Sequence, residues 1–177
     1  FRDSVILLSG ATGTGKTRMV TQFMRGGFDT GERCLLFAFE ESRDQLFRNA
    51  AAWGIDFAAM EADGRLKVVN QYPHAMAVED HLLQMRDMIA EFRPNRVAVD
   101  SLSALERVTS VRSFREFVIS LTAFVKGQEM AGLFTSTTPT LRVSHSCLRI
   151  VRSTTGPYSR RARSRSPVAL RRRYPIS

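Results

Sequence analysis

Eight residues near the amino terminus, GATGTGKT at 10–17, hold the most specific chemistry in the chain. Glycines let a backbone wrap so that successive N–H groups converge on one anion. The helix predicted to begin near Lys16 points the positive end of its dipole at the same place. Lys16 adds a point charge suited to the β- and γ-phosphates of a nucleotide, and the Thr17 hydroxyl is placed to ligate Mg2+. The pattern G-x-x-x-x-G-K-[ST] also has its required context. An apolar run, SVILLS at 4–9, precedes it, and helical spacing follows at Met19, Val20, Phe23 and Met24. ATP with Mg2+ is therefore expected to lie with its phosphates over Thr12, Gly13, Thr14, Gly15, Lys16 and Thr17.

Three carboxylates could serve such a site. RVAVD at 96–100 reads as a buried strand with Asp100 at its end. Ligands of parallel α/β sheets bind at that edge, and phosphate-loop enzymes need an acid there to hold the metal's water shell. The alternative for Asp100 is a helix N-cap. FAFEES at 37–42 places Glu40 and Glu41 where another strand ends. Such a pair could ligate the metal or polarise an attacking water or hydroxyl; the alternative is a solvated acidic pair. Neighbours along an extended strand face opposite ways, so one of the two is expected to face the γ-phosphate.

The elements that must position these residues follow from periodicity. Apolar runs at 4–9, 33–39, 66–70, 96–100 and 132–137 are predicted strands. Between them lie helical patterns. The first is stopped by Gly26-Gly27. The second opens on SRDQ at 42–45, a capping box, and runs to Trp53-Gly54. The third carries Val78, Leu82, Met85, Met88, Ile89 and Phe92 on one face, with Pro94 beyond its end. The fourth carries Phe114, Phe117, Val118, Leu121, Phe124 and Val125 and ends near Gly127. Alternating strands and helices indicate an α/β fold with a mostly parallel sheet, and near-continuous apolar strands say that helices cover both faces.

The net charge of +9 over 177 residues divides unevenly. Residues 1–141 hold 16 basic and 17 acidic residues; residues 142–177 hold ten arginines, no lysine and no acid. Two domains are expected, a near-neutral α/β body at 1–141 and an Arg/Ser/Pro-rich tail at 142–177 without a packed core. Reading a GC-rich gene in the wrong frame produces such a tail; the competing reading is a nucleic-acid-binding arm. Cys34 and Cys147 fit neither a disulfide framework nor zinc spacing, and Cys34 lies in an apolar run that suits the core. His74, His81 and His145 do not cluster, and solvated or capping roles are expected for them. No run of 18 apolar residues and no signal-peptide pattern occurs, so a soluble, cytoplasmic protein is expected. A chain that opens on Phe1 is expected to be a piece of a longer one.

The segments ATGTGKT, LFAFEESRDQLFRNAAAWGIDF, VAVDSLSAL and FREFVISLTAFVKGQEMAGLFT, in this order, resemble the KaiC family. These are RecA-like ATPases of the bacterial circadian clock, and the likeness is to the C-terminal, autokinase half over about residues 1–138. The resemblance implies a RecA-like P-loop fold, incomplete at its C-terminal end. It implies ATP and Mg2+ as ligands, with 12–17 as the ATP-binding loop, Thr17 on magnesium, and Glu40 and Glu41 as paired catalytic glutamates. Trp53 matches an aromatic residue beside the nucleotide, although by itself it reads as core packing at a helix end. Asp100 matches the second acidic motif, with Glu40 beside it toward the metal. Arg18 follows the loop where the family carries an aliphatic residue, and is taken as nucleotide-binding by position. The family also implies a hexameric ring with ATP between subunits, and clock-type protein partners. The phosphoacceptor segment and the Lys/Arg residues that reach a neighbour's ATP are not matched, so this chain is expected to be monomeric or loosely associated. Two other functions compete. One is a DNA-dependent ATPase of the recombinase or helicase kind, favoured only by the basic tail. The other is an inactive nucleotide-binding fragment.

Overall fold

Strands β1 (Ser4–Gly10), β2 (Cys34–Ala38), β3 (Leu66–Asn70), β4 (Arg96–Asp100) and β5 (Ala131–Thr137) form one parallel sheet, and β6 (Arg149–Ser153) joins its edge antiparallel to β1. The computed structural model describes residues 3–137 and 149–153. The strand order is β3-β2-β4-β5-β1-β6. Between the strands run helices α1 (Lys16–Asp29), α2 (Arg43–Ala52), α3 (Phe57–Ala62), α4 (Val78–Phe92), α5 (Leu102–Glu106) and α6 (Val111–Gly127). This is an α/β fold with a mostly parallel sheet covered by helices on both faces, as the periodicity predicts.

Strand β2 is apolar at every position, and the middle of β4 likewise, because successive side chains enter two different cores. Leu35 and Phe37 of β2 and Val97 and Val99 of β4 pack with Met85 and Ile89 of α4 and Phe117, Leu121 and Val125 of α6. The intervening Cys34, Leu36 and Ala98 pack with Val20 and Met24 of α1, Leu46 of α2 and Phe57 and Met60 of α3. Cys34 is fully buried, and burial pushes its thiol up to about 11. Among the described residues, no helix is long and apolar enough to cross a membrane.

Several elements depart from expectation, each for a local reason. Helix α1 does not stop at Gly26-Gly27; it runs to Asp29, and Gly31, at φ +79°, turns the chain. The glycines serve packing instead. A Cβ on Gly27 would lie 2.5 Å from Cys34 Sγ and 2.7 Å from Arg96 Cδ. Helices α3 and α5 are too short to show a period; α3 is held by Asp56, which accepts from Ala59 N at 2.9 Å. His81 is neither solvated nor a cap. It is buried, with Nδ1 3.2 Å from Gln71 Oε1, Nε2 3.2 Å from Pro73 O and its ring edge-on to Phe39. Within the basic tail, which was expected to lack a packed core of its own, Arg149–Ser153 forms β6, a strand that periodicity did not mark and that gains its hydrogen bonds from the edge of β1. The boundary near Leu141, His145, Cys147, residues 142–148 and residues 154–177 lie outside the described residues.

The glycine pair yields a test. Gly26→Ala meets only Arg96 Nη1, at an ordinary 3.5 Å. It should gain up to about 1 kcal/mol from helix propensity. Gly27→Ala forces Cys34 and Arg96 aside and should lose about 1–3 kcal/mol, the usual cost of overpacking. Urea unfolding of both variants checks the pair; equal stabilities would mean that the close approach carries no weight.

Candidate functional site

The sheet order sets the site. β2, β4, β5 and β1 are consecutive neighbours, so their C-terminal ends, and the loops that leave them, lie side by side. The loop after β1 owes its shape to Gly13 and Gly15, at φ +81° and +87°. A side chain in that conformation costs about 1–2 kcal/mol. Gly15 is also the N-cap of α1, which leaves the first amides of that helix without a capping side chain. Such amides suit an anion. Lys16 is buried, and its ammonium donates to the carbonyls of Gly10 at 2.9 Å and Ala11 at 2.8 Å. An ammonium has three donors, so one remains for a further oxygen.

A cleft of about 460 Å³ opens over this loop. Thr12, Gly13, Gly15, Lys16, Thr17 and Arg18 line it from the loop and the first turn of α1. Glu40 and Glu41 line it from the end of β2, Asp100 from the end of β4 and Trp53 from the C-cap of α2. Thr14 is the loop residue that does not line it; its hydroxyl donates to Ala11 O at 2.8 Å and braces the turn. Trp53 is therefore a cleft residue and not only core packing. The Arg18 guanidinium lies 6.0 Å from the centre of its ring.

The carboxylates are held differently. Asp100 Oδ1 accepts from Thr135 Oγ1 at 2.5 Å, and the Thr17 hydroxyl bonds the same side chain. Burial pushes the Asp100 carboxyl up; the Thr135 and Thr17 bonds pull it back, Glu40 opposes its charge and Lys16 attracts it. Burial also raises Glu41; Asn49 Nδ2 donates to its Oε2 at 3.0 Å and lowers it, while Asp100 and Glu40 raise it. Glu40 Oε1 accepts from Arg107 Nη2 at 3.1 Å. Both glutamates line the one cleft, contrary to the expected alternation, because β2 ends at Ala38 and the bend at 40–41 is no longer an extended strand.

These residues fit Mg2+. The donors are hard oxygens, a hydroxyl and clustered carboxylates, as that ion requires. Among the described residues no three His, Cys, Asp or Glu side chains gather into a cage. The set therefore suits an ion shared with phosphate oxygens and water rather than one enclosed by protein.

Periodicity missed Asn49 and Thr137, which also line the cleft. Thr137 ends β5 at the same sheet edge as Asp100, so the argument that found Asp100 applies to it equally. Its N–H donates to Ser103 Oγ at 2.7 Å. Asn49 is one helical turn beyond Gln45, with nothing in its neighbours to mark it.

Asp100→Asn should raise the stability of the nucleotide-free chain. Asp100 is raised in the folded state, so the fold binds its proton more tightly than the unfolded chain does, and stability is lost as pH rises through that titration. The variant should gain nothing at the acid end and gain fully above it. A rise in Tm of about 2–4 °C near neutral pH, the shift about 1 kcal/mol gives a domain of this size, is the expected thermal-melt result; a lower Tm at every pH would contradict it.

A family model for the KaiC ATPase matches residues 1–152. The chain is 68% identical over 141 residues to the circadian clock protein KaiC3 of Synechocystis sp., an alignment covering 80% of this chain and 28% of that protein. It is 52% identical over 146 residues to the circadian clock oscillator protein KaiC of Prochlorococcus marinus, covering 82% and 29%. To the protein of the same description from Acaryochloris marina it is 53% identical over 146 residues, covering 82% and 28%. The chain thus spans less than a third of the length of these relatives.

Proposed function

This chain belongs to the KaiC ATPase family, and we propose that its cleft binds ATP with Mg2+ and hydrolyses the γ-phosphate. In the whole protein the same site would pass that phosphate to a Ser or Thr of its own chain, within a hexameric ring that answers to clock-type partners. The observation that carries the proposal is convergence. Ten residues singled out from separate stretches of sequence line one cleft. Chance placement would scatter them.

The chemistry divides among these side chains. Backbone amides of 13–17 and the α1 dipole cradle the phosphates. Lys16, anchored through two of its donors on the loop carbonyls, gives its third to a phosphate oxygen. Thr17 would ligate Mg2+, with Asp100 and Glu40 around its water shell; the ion supplies neutralisation of charge on the phosphate oxygens. Trp53 and Arg18 face the rest of the nucleotide. Glu40 or Glu41 accepts the proton of the attacking water, or of the acceptor hydroxyl, as its oxygen bonds to the γ-phosphorus and ADP leaves.

The chain has a single tryptophan, so Trp53 fluorescence reports binding without a label. ATP·Mg should change it saturably. Lys16→Ala should weaken that binding by roughly ten- to a hundred-fold, the weight of a charge-assisted contact of about 1.5–3 kcal/mol. An unchanged titration in the variant would sink the loop assignment.

In a parent protein containing this body, replacing Glu40 and Glu41 together by Gln should lower phosphoryl transfer by about 10²-fold or more, with ATP still bound. Collapse of ATP affinity with steady turnover per bound ATP would make the pair binding residues instead.

A further inference from the structure

We propose that Asn49 is a positioning residue for Glu41, the last link of a one-way hydrogen-bond relay that starts at Arg48 and passes through Gln45 on α2. Arg48 Nη2 donates to Gln45 Oε1 at 2.9 Å, Gln45 Nε2 donates to Asn49 Oδ1 at 2.9 Å, and Asn49 Nδ2 donates to Glu41 Oε2 at 3.0 Å. The direction is forced. An amide taken alone can be turned end for end. A guanidinium only donates and an ionised carboxylate only accepts. With one at each end, both amides have a single consistent orientation, and each delivers its N–H toward Glu41.

The helix geometry makes the relay local. Residues three and four apart share a face, so Gln45 meets both Arg48 and Asn49. Gln45 is also the N3 residue of the capping box, and its backbone N–H does bond Ser42 Oγ, at 3.3 Å. Its side chain does not return to Ser42 as a full capping box would require; it is committed to the relay. The backbone of Glu41 is fixed separately, because Asn70 Nδ2 donates to its carbonyl at 2.7 Å. Glu41 is thus held at both its main chain and its carboxylate. Among the described residues, Glu40 is bonded by Arg107, whose side chain is 62% exposed. The adjacent acids are not equivalent: Glu41 is bonded from α2 and β3, Glu40 by an exposed arginine.

The inference rests on the nucleotide-site proposal for its catalytic half and on geometry alone for the rest, so the experiment has two arms. In the first, without nucleotide, Asn49→Asp keeps the acceptor that Gln45 needs and sets a second carboxylate against Glu41. Its Tm should fall by about 2–5 °C. Adding Glu41→Gln restores a donor–acceptor pair and should recover most of that loss. If the double variant melts no higher than Asn49→Asp, the relay is wrong. In the second arm, Asn49→Ala should lower kcat for ATP hydrolysis about tenfold or more, as removal of an orienting residue does. ATP affinity by Trp53 fluorescence should stay within about twofold. A kcat within twofold of the unaltered chain, or a loss in affinity alone, overturns the positioning role. A chain whose Trp53 never responds to ATP·Mg would refute the nucleotide-site proposal instead, and the melting arm would still decide the relay.

Discussion

The constraint on which the rest of the molecule depends is the buried carboxylate of Asp100 at the end of β4. Among the described residues its bonded partners are the hydroxyls of Thr135 and Thr17, with the Lys16 charge nearby. Burying such a group costs stability unless something compensates. The fold supplies partial compensation from two neighbouring elements, the β5 strand and the start of α1. Both elements adjoin β4, for β5 pairs with it in the sheet and α1 packs on both strands. The partial compensation also leaves a deficit of positive charge of the kind a divalent cation with bound phosphates would meet.

A parallel sheet concentrates this chemistry by its own geometry. Every parallel strand ends on the same edge, and every following helix starts there with its positive pole. Two cores occupy the faces, so polar groups have nowhere else to converge. The alternation of β2 shows how strict the division is. Cys34, Leu36 and Ala38 serve one core, Leu35 and Phe37 the other. Only past Ala38, where pairing stops, do charged residues appear, and they are the two glutamates of the cleft.

What the sequence made legible follows the same division. Strands buried on both faces leave continuous apolar runs, and all five parallel strands are readable from them. The P-loop is readable because each of its residue types has a separate physical reason. Helix α1 was misread at Gly26-Gly27 because glycine has two uses, ending a helix and admitting a close neighbour. Only the three-dimensional approach of Cys34 and Arg96 tells them apart. Helices α3 and α5 have too few residues for a period, and β6 depends on a partner strand distant in sequence. Within the site, charged and glycine positions were found, whereas Asn49, Ser103 and Thr137 were not. Asn49 and Ser103 carry no local signal, since their role exists only through the partner they bond; Thr137 is marked only by its place at the end of β5.

The end of β5 shows how far such neutral residues reach. Three consecutive hydroxyl residues close that strand, and they are tied to two neighbours, Asp100 and Ser103. Thr135 donates to Asp100, the Ser136 hydroxyl meets that of Ser103 at 3.2 Å, and the Thr137 N–H bonds Ser103 Oγ. The strand end is therefore fastened both to the acid at the cleft and to the short helix α5. Thr137 itself lines the cleft. Thr135, which gives one of the two hydroxyls on the Asp100 carboxylate, lies two residues before Thr137. The polar ladder between β4, α5 and β5 thus links the end of β5 to the acid of the cleft through hydrogen bonds rather than packing.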